Sequence, residues 1–264
     1  MPLGSATAGL LNGIQTAYKS AVDNGAENEN AFGTQNSLAR DMSSAIDTYY
    51  SQALVTTSVI IDSGQQDSVG GSTQVDGTGS GTGSLTTLDP VTLTHSLYNA
   101  YKSAATTGEE SDPIQQLAQD VGDAVYKYMI SPTVITAVMA NGGQVTNASA
   151  GTANPIGTVA SPGIGTAEGE VSFESDDVSV LKSDVETAYN TAKTNGKVGL
   201  SLEALATDVH AAIHRFALTA IVKTDVTVVP GQVVAGYMVL VGVAPAPLPA
   251  VTLVGSGTGE GTIS

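Results

Sequence analysis

His210 and His214 stand four residues apart, a spacing that brings two imidazoles to one helix face and can seat a metal ion. Asp208 lies just before them, in the segment Leu205-Ala206-Thr207-Asp208-Val209-His210-Ala211-Ala212-Ile213-His214-Arg215-Phe216-Ala217. The same segment has two earlier versions. They read Leu38-Ala39-Arg40-Asp41-Met42-Ser43-Ser44-Ala45-Ile46-Asp47-Thr48-Tyr49-Tyr50 and Leu117-Ala118-Gln119-Asp120-Val121-Gly122-Asp123-Ala124-Val125-Tyr126-Lys127-Tyr128-Met129. The positions of the histidines hold Ser43 and Asp47 in one and Gly122 and Tyr126 in the other, so a metal site common to all three is excluded. The third copy lacks an evident third ligand, and exposed or capping histidines are the expectation. His95 has no nameable partner.

Asp41, Asp120 and Asp208 do recur, but a triplicated acid without a triplicated base or nucleophile makes a poor catalytic centre. They are expected to cap the helix start, to form ion pairs, or to line a contact between copies. The acidic run Glu174-Ser175-Asp176-Asp177 lacks the spacing of a calcium loop and reads as a solvated lead into a helix. The glycine-rich phrases Gly77 to Leu85, Gly163 to Val171 and Gly255 to Ile263 lack the Lys of a phosphate loop. They are expected to be strand edges or tight turns where backbones approach closely. No Ser-His-Asp arrangement can be assembled, because Ser and Thr are so abundant that coincidence is cheap. The site inventory is therefore empty: no catalytic, cofactor-binding or metal residue is assigned, no cofactor is called, and the chain reads as a non-enzyme.

The elements around these residues are more legible than any chemistry. Ala17-Tyr18-Lys19-Ser20-Ala21, Ala100-Tyr101-Lys102-Ser103-Ala104 and Ala188-Tyr189-Asn190-Thr191-Ala192 are three versions of one phrase. Leu10, Leu11, Ile14, Ala17, Tyr18 and Ala21 in the first, and Val180, Leu181, Val185, Ala188, Tyr189 and Ala192 in the third, form amphipathic stripes. Asn24-Gly25, Gly108 and Asn195-Gly196 are expected to stop these helices, and Glu27-Asn28-Glu29-Asn30 to form an extra polar loop in the first copy. Ser111 or Asp112 with Pro113 suits a helix start, and Ser201 marks another. Leu38, Met42, Ala45, Ile46 and Tyr49, like Leu205, Val209, Ala212, Ile213 and Phe216, make a second stripe, so each pair predicts an antiparallel helical hairpin.

The period then changes. Leu54–Ile61, Thr133–Met139 and Ile221–Val229 are rich in β-branched residues and predict strands. Each is followed by Gly64-Gln65, Gly143-Gln144 or Gly231-Gln232, with a turn and a second strand expected beyond, clearest from Gly231 to Leu240. Because each copy closes on its glycine phrase, boundaries fall near Thr86 and Phe173. The expected organisation is α+β: three tandem units, 1–86, 87–173 and 174–264, each a helical hairpin followed by β-strands or a β-hairpin. Units of about 80–90 residues exceed ordinary solenoid repeats, so strands bridging neighbouring units, or closure around a pseudo-threefold axis, are preferred to a linear row.

Composition narrows the function classes. Lys and Arg total 9 against 25 Asp and Glu, a net charge of −16, the wrong sign for binding phosphate backbones. Hydrophobic content of 41% supports a packed core, while three Phe, nine Tyr and no Trp argue against an aromatic-walled ligand pocket. Cysteine is absent, which removes disulfides and thiolate metal sites. Met1 to Ala6 lacks the basic start of a signal peptide, and the most apolar run, Val233 to Leu253, is broken by Gly236, Gly242, Pro245, Pro247 and Pro249. The expectation is a soluble chain made in a cytoplasm, contacting neither membrane nor nucleic acid.

The three Ala-rich helical pairs, the Val- and Thr-rich strands and above all the closing phrase Gly255 to Ser264 resemble small virion structural proteins of tailed bacteriophages. The resemblance implies a non-enzymatic chain, assembled in the host cytoplasm and residing in the virion. Its implied partners are other virion structural proteins in a symmetric assembly. It would act in capsid decoration or cement, or in the head–tail neck or tail. The alternative is an extracellular adhesive or carbohydrate-binding repeat protein, for which Tyr49, Tyr50, Tyr98, Tyr126, Tyr128 and Tyr237 are the stacking candidates.

Overall fold

A computed structural model describes residues 3–28, 31–61, 65–68, 71–74, 77–106, 113–142, 144–146, 155–158, 163–195, 200–229 and 253–264. Within them the fold is α+β, six helices set on a six-stranded antiparallel barrel. The helices are α1 (Leu3–Asn28), α2 (Ala31–Tyr50), α3 (Pro90–Thr106), α4 (Pro113–Met129), α5 (Ser175–Asn195) and α6 (Leu200–Ala217). Each packs on the next in sequence, and α1 packs on α6, so the helices form a closed ring.

The strands are β1 (Leu54–Ile61), β2 (Gln65–Ser68), β3 (Gly71–Gln74), β4 (Gly77–Thr86), β5 (Thr133–Gly142), β6 (Gln144–Thr146), β7 (Pro155–Thr158), β8 (Gly163–Ser172), β9 (Ile221–Val229) and β10 (Leu253–Ile263). The barrel order is β1-β4-β5-β8-β9-β10, and β1 pairs with β10 to close it. Two short hairpins, β2–β3 and β6–β7, extend from it. Following register partners from Val55 through Gly83, Thr136, Ala167, Val226 and Gly257 returns to β1 at Ile61. The return is displaced by six residues, so shear equals strand number, as it does in eight-stranded (β/α) barrels, where it goes with a strand tilt of about 36°.

So few strands leave a narrow interior, and the sequence fills it asymmetrically. β1, β5 and β9 turn β-branched side chains inward: Val55, Thr57 and Val59; Val134, Thr136 and Val138; Val222, Thr224 and Val226. β4, β8 and β10 turn in almost nothing larger than hydrogen at the same depths, namely Gly79, Gly81 and Gly83; Gly165, Ala167 and Gly169; Gly257, Gly259 and Gly261. A Cβ on Gly83, Gly169 or Gly261 would fall inside the carbonyl oxygen of Ile135, Lys223 or Thr56 respectively. The glycine phrases are thus central barrel strands, and the expected edges or turns are corrected. Close backbone approach is the reason for Gly83, Gly169, Gly257 and Gly261, and it occurs inside paired strands; Gly81 and Gly259 instead make room for threonine hydroxyls.

The helical core repeats the same depth from helix to helix. Leu10, Leu93 and Leu181, then Ile14, Leu97 and Val185, are fully buried on α1, α3 and α5. Met42, Val121 and Val209, then Ile46, Val125 and Ile213, are fully buried on α2, α4 and α6. These stripes continue without a break into the first barrel layer, Val55, Val134 and Val222, as one apolar cluster. Val180, assigned to a stripe from its spacing, is exposed instead.

One predicted boundary moves. α1 runs through Asn24-Gly25 to Asn28, so Glu27 and Asn28 belong to the helix rather than to a loop. An interior glycine costs only about 1 kcal/mol, too little for Gly25 to end the helix. α3 ends at Thr106 and α5 at Asn195; Gly108 and Gly196 lie outside the described residues. Pro113 opens α4 as its first helical residue, with Ser111 and Asp112 outside the described set, and Ser201 falls in the first turn of α6. At α3, Asp89 accepts hydrogen bonds from the Thr92 N–H (3.0 Å) and hydroxyl (2.6 Å), capping a helix that starts at Pro90. Those bonds hold the Asp89 carboxyl below its ordinary pKa. Gly64, Gly143 and the segment from Gly231 to Leu240 also lie outside the described residues.

Candidate functional site

Toward the C-terminal ends of α2, α4 and α6 the ring carries a set of polar and aromatic contacts. Asp47, Tyr126 and His214 occupy one aligned position on α2, α4 and α6, and each reaches the next even-numbered helix around the ring. Tyr128 donates a hydrogen bond to the Asp47 carboxylate at 2.5 Å. Tyr126 sets its ring edge-on to Phe216, with Phe173 stacked on Phe216 at 4.1 Å between centroids. A 2.6 Å hydrogen bond joins the Tyr49 hydroxyl to Nδ1 of His214. Tyr128, Phe216 and Tyr49 are themselves at aligned positions in the sequence, and the three contacts use three chemistries.

One turn earlier the pattern recurs against the odd-numbered helices. Ser43 donates to the Pro90 carbonyl at the start of α3 at 2.9 Å. Gly122 lets Lys182 of α5 lie against α4, where a Cβ would stand 2.6 Å from its Cγ, and Lys182 pairs with Asp123 at 2.6 Å. His210 faces the backbone of Thr7 on α1. The two histidines are therefore half-buried contact residues of α6, neither exposed nor capping. Their rings stack 6.0 Å apart, and Nε2 of His210 is buried without a hydrogen-bond partner. Burial lowers the pKa of both, and the neighbouring His214 lowers that of His210 further.

The three tyrosines of the Ala-Tyr phrase converge inside the ring. The Tyr18 and Tyr189 hydroxyls are 3.1 Å apart, with Tyr101 beside them. Burial, reinforced by the neighbouring phenols, raises the pKa of Tyr18 and Tyr101 well above the ordinary value; the Tyr101 hydroxyl is buried without a hydrogen-bond partner.

The remaining candidates are placed plainly. Asp41, Asp120 and Asp208 sit in mid-helix, so the capping expectation is corrected; Asp41 pairs with its neighbour Arg40 at 3.2 Å, Asp120 accepts from Gln116 at 2.8 Å, and Asp208 is exposed. Asp176 and Asp177 lie in the first turn of α5, where they complement the helix dipole. His95 is exposed on α3. Tyr49, Tyr50 and Tyr128 are buried in the core, with Tyr50 donating to the Met129 carbonyl at 3.0 Å, and Tyr126 is half-buried in its aromatic cluster. Four of the six proposed sugar-stacking residues are therefore engaged inside the protein; Tyr98 is half-buried under Lys102, and Tyr237 lies outside the described residues. Among the described residues no group of three or more His, Asp or Glu side chains could hold a metal ion, and no helix is long and apolar enough to cross a membrane.

Sequence reasoning missed the contact role of the histidine positions because it compared residue types and set aside whatever changed. The signal that could have found it is spacing: Tyr49, Tyr128 and Phe216 follow the varying position by two residues every time. Compared with protein-family models, with curated proteins and with solved structures, the chain has no match.

Proposed function

We propose that this chain is a non-enzymatic structural protein of a tailed-phage virion, a single-chain mimic of a trimer that binds other virion subunits at a symmetric position. In this reading residues 1–86, 87–173 and 174–264 are copies of one unit closed around a pseudo-threefold axis. The observation that carries it is the cyclic contact set: Asp47 to Tyr128, Tyr126 to Phe216 and His214 to Tyr49 connect aligned positions in one rotational sense. The glycine contacts Gly83 to Ile135, Gly169 to Lys223 and Gly261 to Thr56 support the same rotation in the barrel.

A body with threefold regularity built from one chain suits a threefold or sixfold location in a shell or neck, where contacts follow symmetry. Its net charge of −16 favours an outward or protein-facing position over one against packaged DNA. Its side chains of chemical interest are spent on holding the ring together, which fits a role carried by surfaces. The test is mass spectrometry and cryo-electron microscopy of purified particles from the source of the sequence. The expected result is density for a six-helix, six-stranded body on a symmetry axis of the capsid, neck or tail; particles that lack the chain would reject the proposal.

A further inference from the structure

The apolar core is interrupted at one depth. The main cluster ends at Val55, Val134 and Val222, and a second, formed by Val59, Ile61, Val138, Ala167 and Val226, lies deeper in the barrel. Between them stand Thr57, Thr136 and Thr224, with exposures of 4%, 0% and 4%. Hydroxyls here are costly, because a buried polar group without a partner forfeits its hydration. Yet the Thr57 and Thr136 hydroxyls have no hydrogen-bond partner, and that of Thr224 reaches the Gly259 carbonyl only at 3.4 Å, beyond a good O–H···O distance.

The Thr57 and Thr136 hydroxyls also lie close together, and Thr224 stands at the aligned position of β9. A Cβ built on Gly81 would stand 2.5 Å from Thr57 Oγ1 and 2.9 Å from Thr136 Oγ1, so these two oxygens are separated by no more than those distances combined. One hydrogen-bonded atom spans such a gap, since two bonds of about 2.8 Å reach that far. The glycine at position 81 is what lets both hydroxyls approach from neighbouring strands.

We propose that the barrel encloses one water molecule, held by the hydroxyls of Thr57, Thr136 and Thr224. The choice of ligand follows from the walls. Hydroxyls donate and accept, as water does, and a buried water typically makes about three hydrogen bonds. An ion would sit between two valine layers with only neutral partners, and burying an uncompensated charge costs far more than burying water. The water layer also pins register. Sliding one strand by two residues would place a threonine in a valine layer and leave the remaining hydroxyls unmatched, a slip that an all-valine interior would not oppose.

The test is a high-resolution crystal structure of the full chain, with parallel soaks in bromide and rubidium. A single peak within hydrogen-bond distance of at least two of the three hydroxyls, silent in both anomalous maps, is the expected result. An anomalous peak at that point, or no peak, would overturn the proposal. Melting temperatures supply an independent sign. Thr57→Val or Thr136→Val removes one partner from a bridged water and should lower the melting temperature by about 2–4 °C, whereas Thr57→Ser should retain the peak. The combined Thr57→Val, Thr136→Val and Thr224→Val variant removes the site as a whole and should melt above the sum of the single losses. If the single valine variants melt higher than the parent, the hydroxyls were unbridged and the proposal is wrong.

Discussion

The barrel and the helical ring solve the same problem, closing six elements around an axis, with opposite freedoms. In the barrel interior, aligned positions carry the same residue: Val55, Val134 and Val222; Thr57, Thr136 and Thr224; Gly83, Gly169 and Gly261. At the helical contacts, aligned positions carry Asp47, Tyr126 and His214. At Gly83, Gly169 and Gly261 the barrel has no room for an alternative, because one carbon atom more meets a neighbouring backbone carbonyl. Helices touch through long side chains, which can be exchanged in pairs. In a homotrimer any such exchange would appear at all three contacts at once. One chain makes each contact independently, so an acid–phenol, an aromatic and an imidazole–phenol pair coexist.

That contrast is broken most sharply at the glycines. Gly83→Ala or Gly261→Ala forces a Cβ into a strand carbonyl and should cost at least about 4 kcal/mol or prevent folding, read by urea unfolding with circular dichroism. Thr82→Ala, one residue away on the outer face, should stay within about 0.5 kcal/mol. Gly81→Ala should be milder than Gly83→Ala, since it meets rotatable threonine hydroxyls and Ala167 already occupies the aligned place on β8. Equal losses at Gly81 and Gly83 would show that strand curvature, not the local carbonyl, sets the limit.

In the helical core the next effect is loss of volume. Leu97→Ala removes a fully buried side chain and should cost about 2–5 kcal/mol, while Val91→Ala on the exposed face of the same helix should be nearly silent. The contacts between helices come below that. Tyr128→Phe leaves the Asp47 carboxylate without its phenol donor and should cost about 1–3 kcal/mol. Tyr49→Phe should cost nearer 1 kcal/mol, because the half-exposed His214 ring can turn to solvent. Matching losses for Tyr128→Phe and Tyr49→Phe would mean that packing, and not the bonded partner, dominates both contacts.

Much of this fold was legible in the sequence, for definite reasons. The α+β class and the buried stripes of α1, α2 and α6 follow from apolar spacing at Leu10, Ile14, Tyr18, Met42, Ile46 and Ile213, and β1, β5 and β9 from their β-branched runs. The glycine strands were not legible, since Gly-Thr-Gly alternation normally weakens a strand; only the narrow barrel, a tertiary fact, makes it favourable. The end of α1 was misplaced because Asn24-Gly25 is a local stop signal that helix continuation overrides. The histidines were misread because burial at a contact between α6, α1 and α2 depends on elements distant in sequence.

The smallest expected effect belongs to those histidines and is a matter of pH. Burial holds both below the ordinary histidine pKa, which is about 6.5 in an unfolded chain. Above that value both states are neutral and the contribution to stability is complete. As pH falls through it, the unfolded chain takes up protons that the folded ring resists, so stability declines until the folded pKa values are reached. Protonation in the fold would place two cations 6.0 Å apart. Acid also relieves the repulsion within a chain of net charge −16, an effect of opposite sign. The measurement is therefore a difference: the melting temperature of the parent minus that of His210→Asn/His214→Gln, followed from pH 8 to about 5.5, above the range in which ordinary carboxylates titrate. The difference should shrink or reverse as pH falls. Parallel curves would mean that the two imidazoles are solvated well enough to titrate as they do in the unfolded chain, leaving the contacts of α6 with α1 and α2 as insensitive to pH as the aromatic one between α4 and α6.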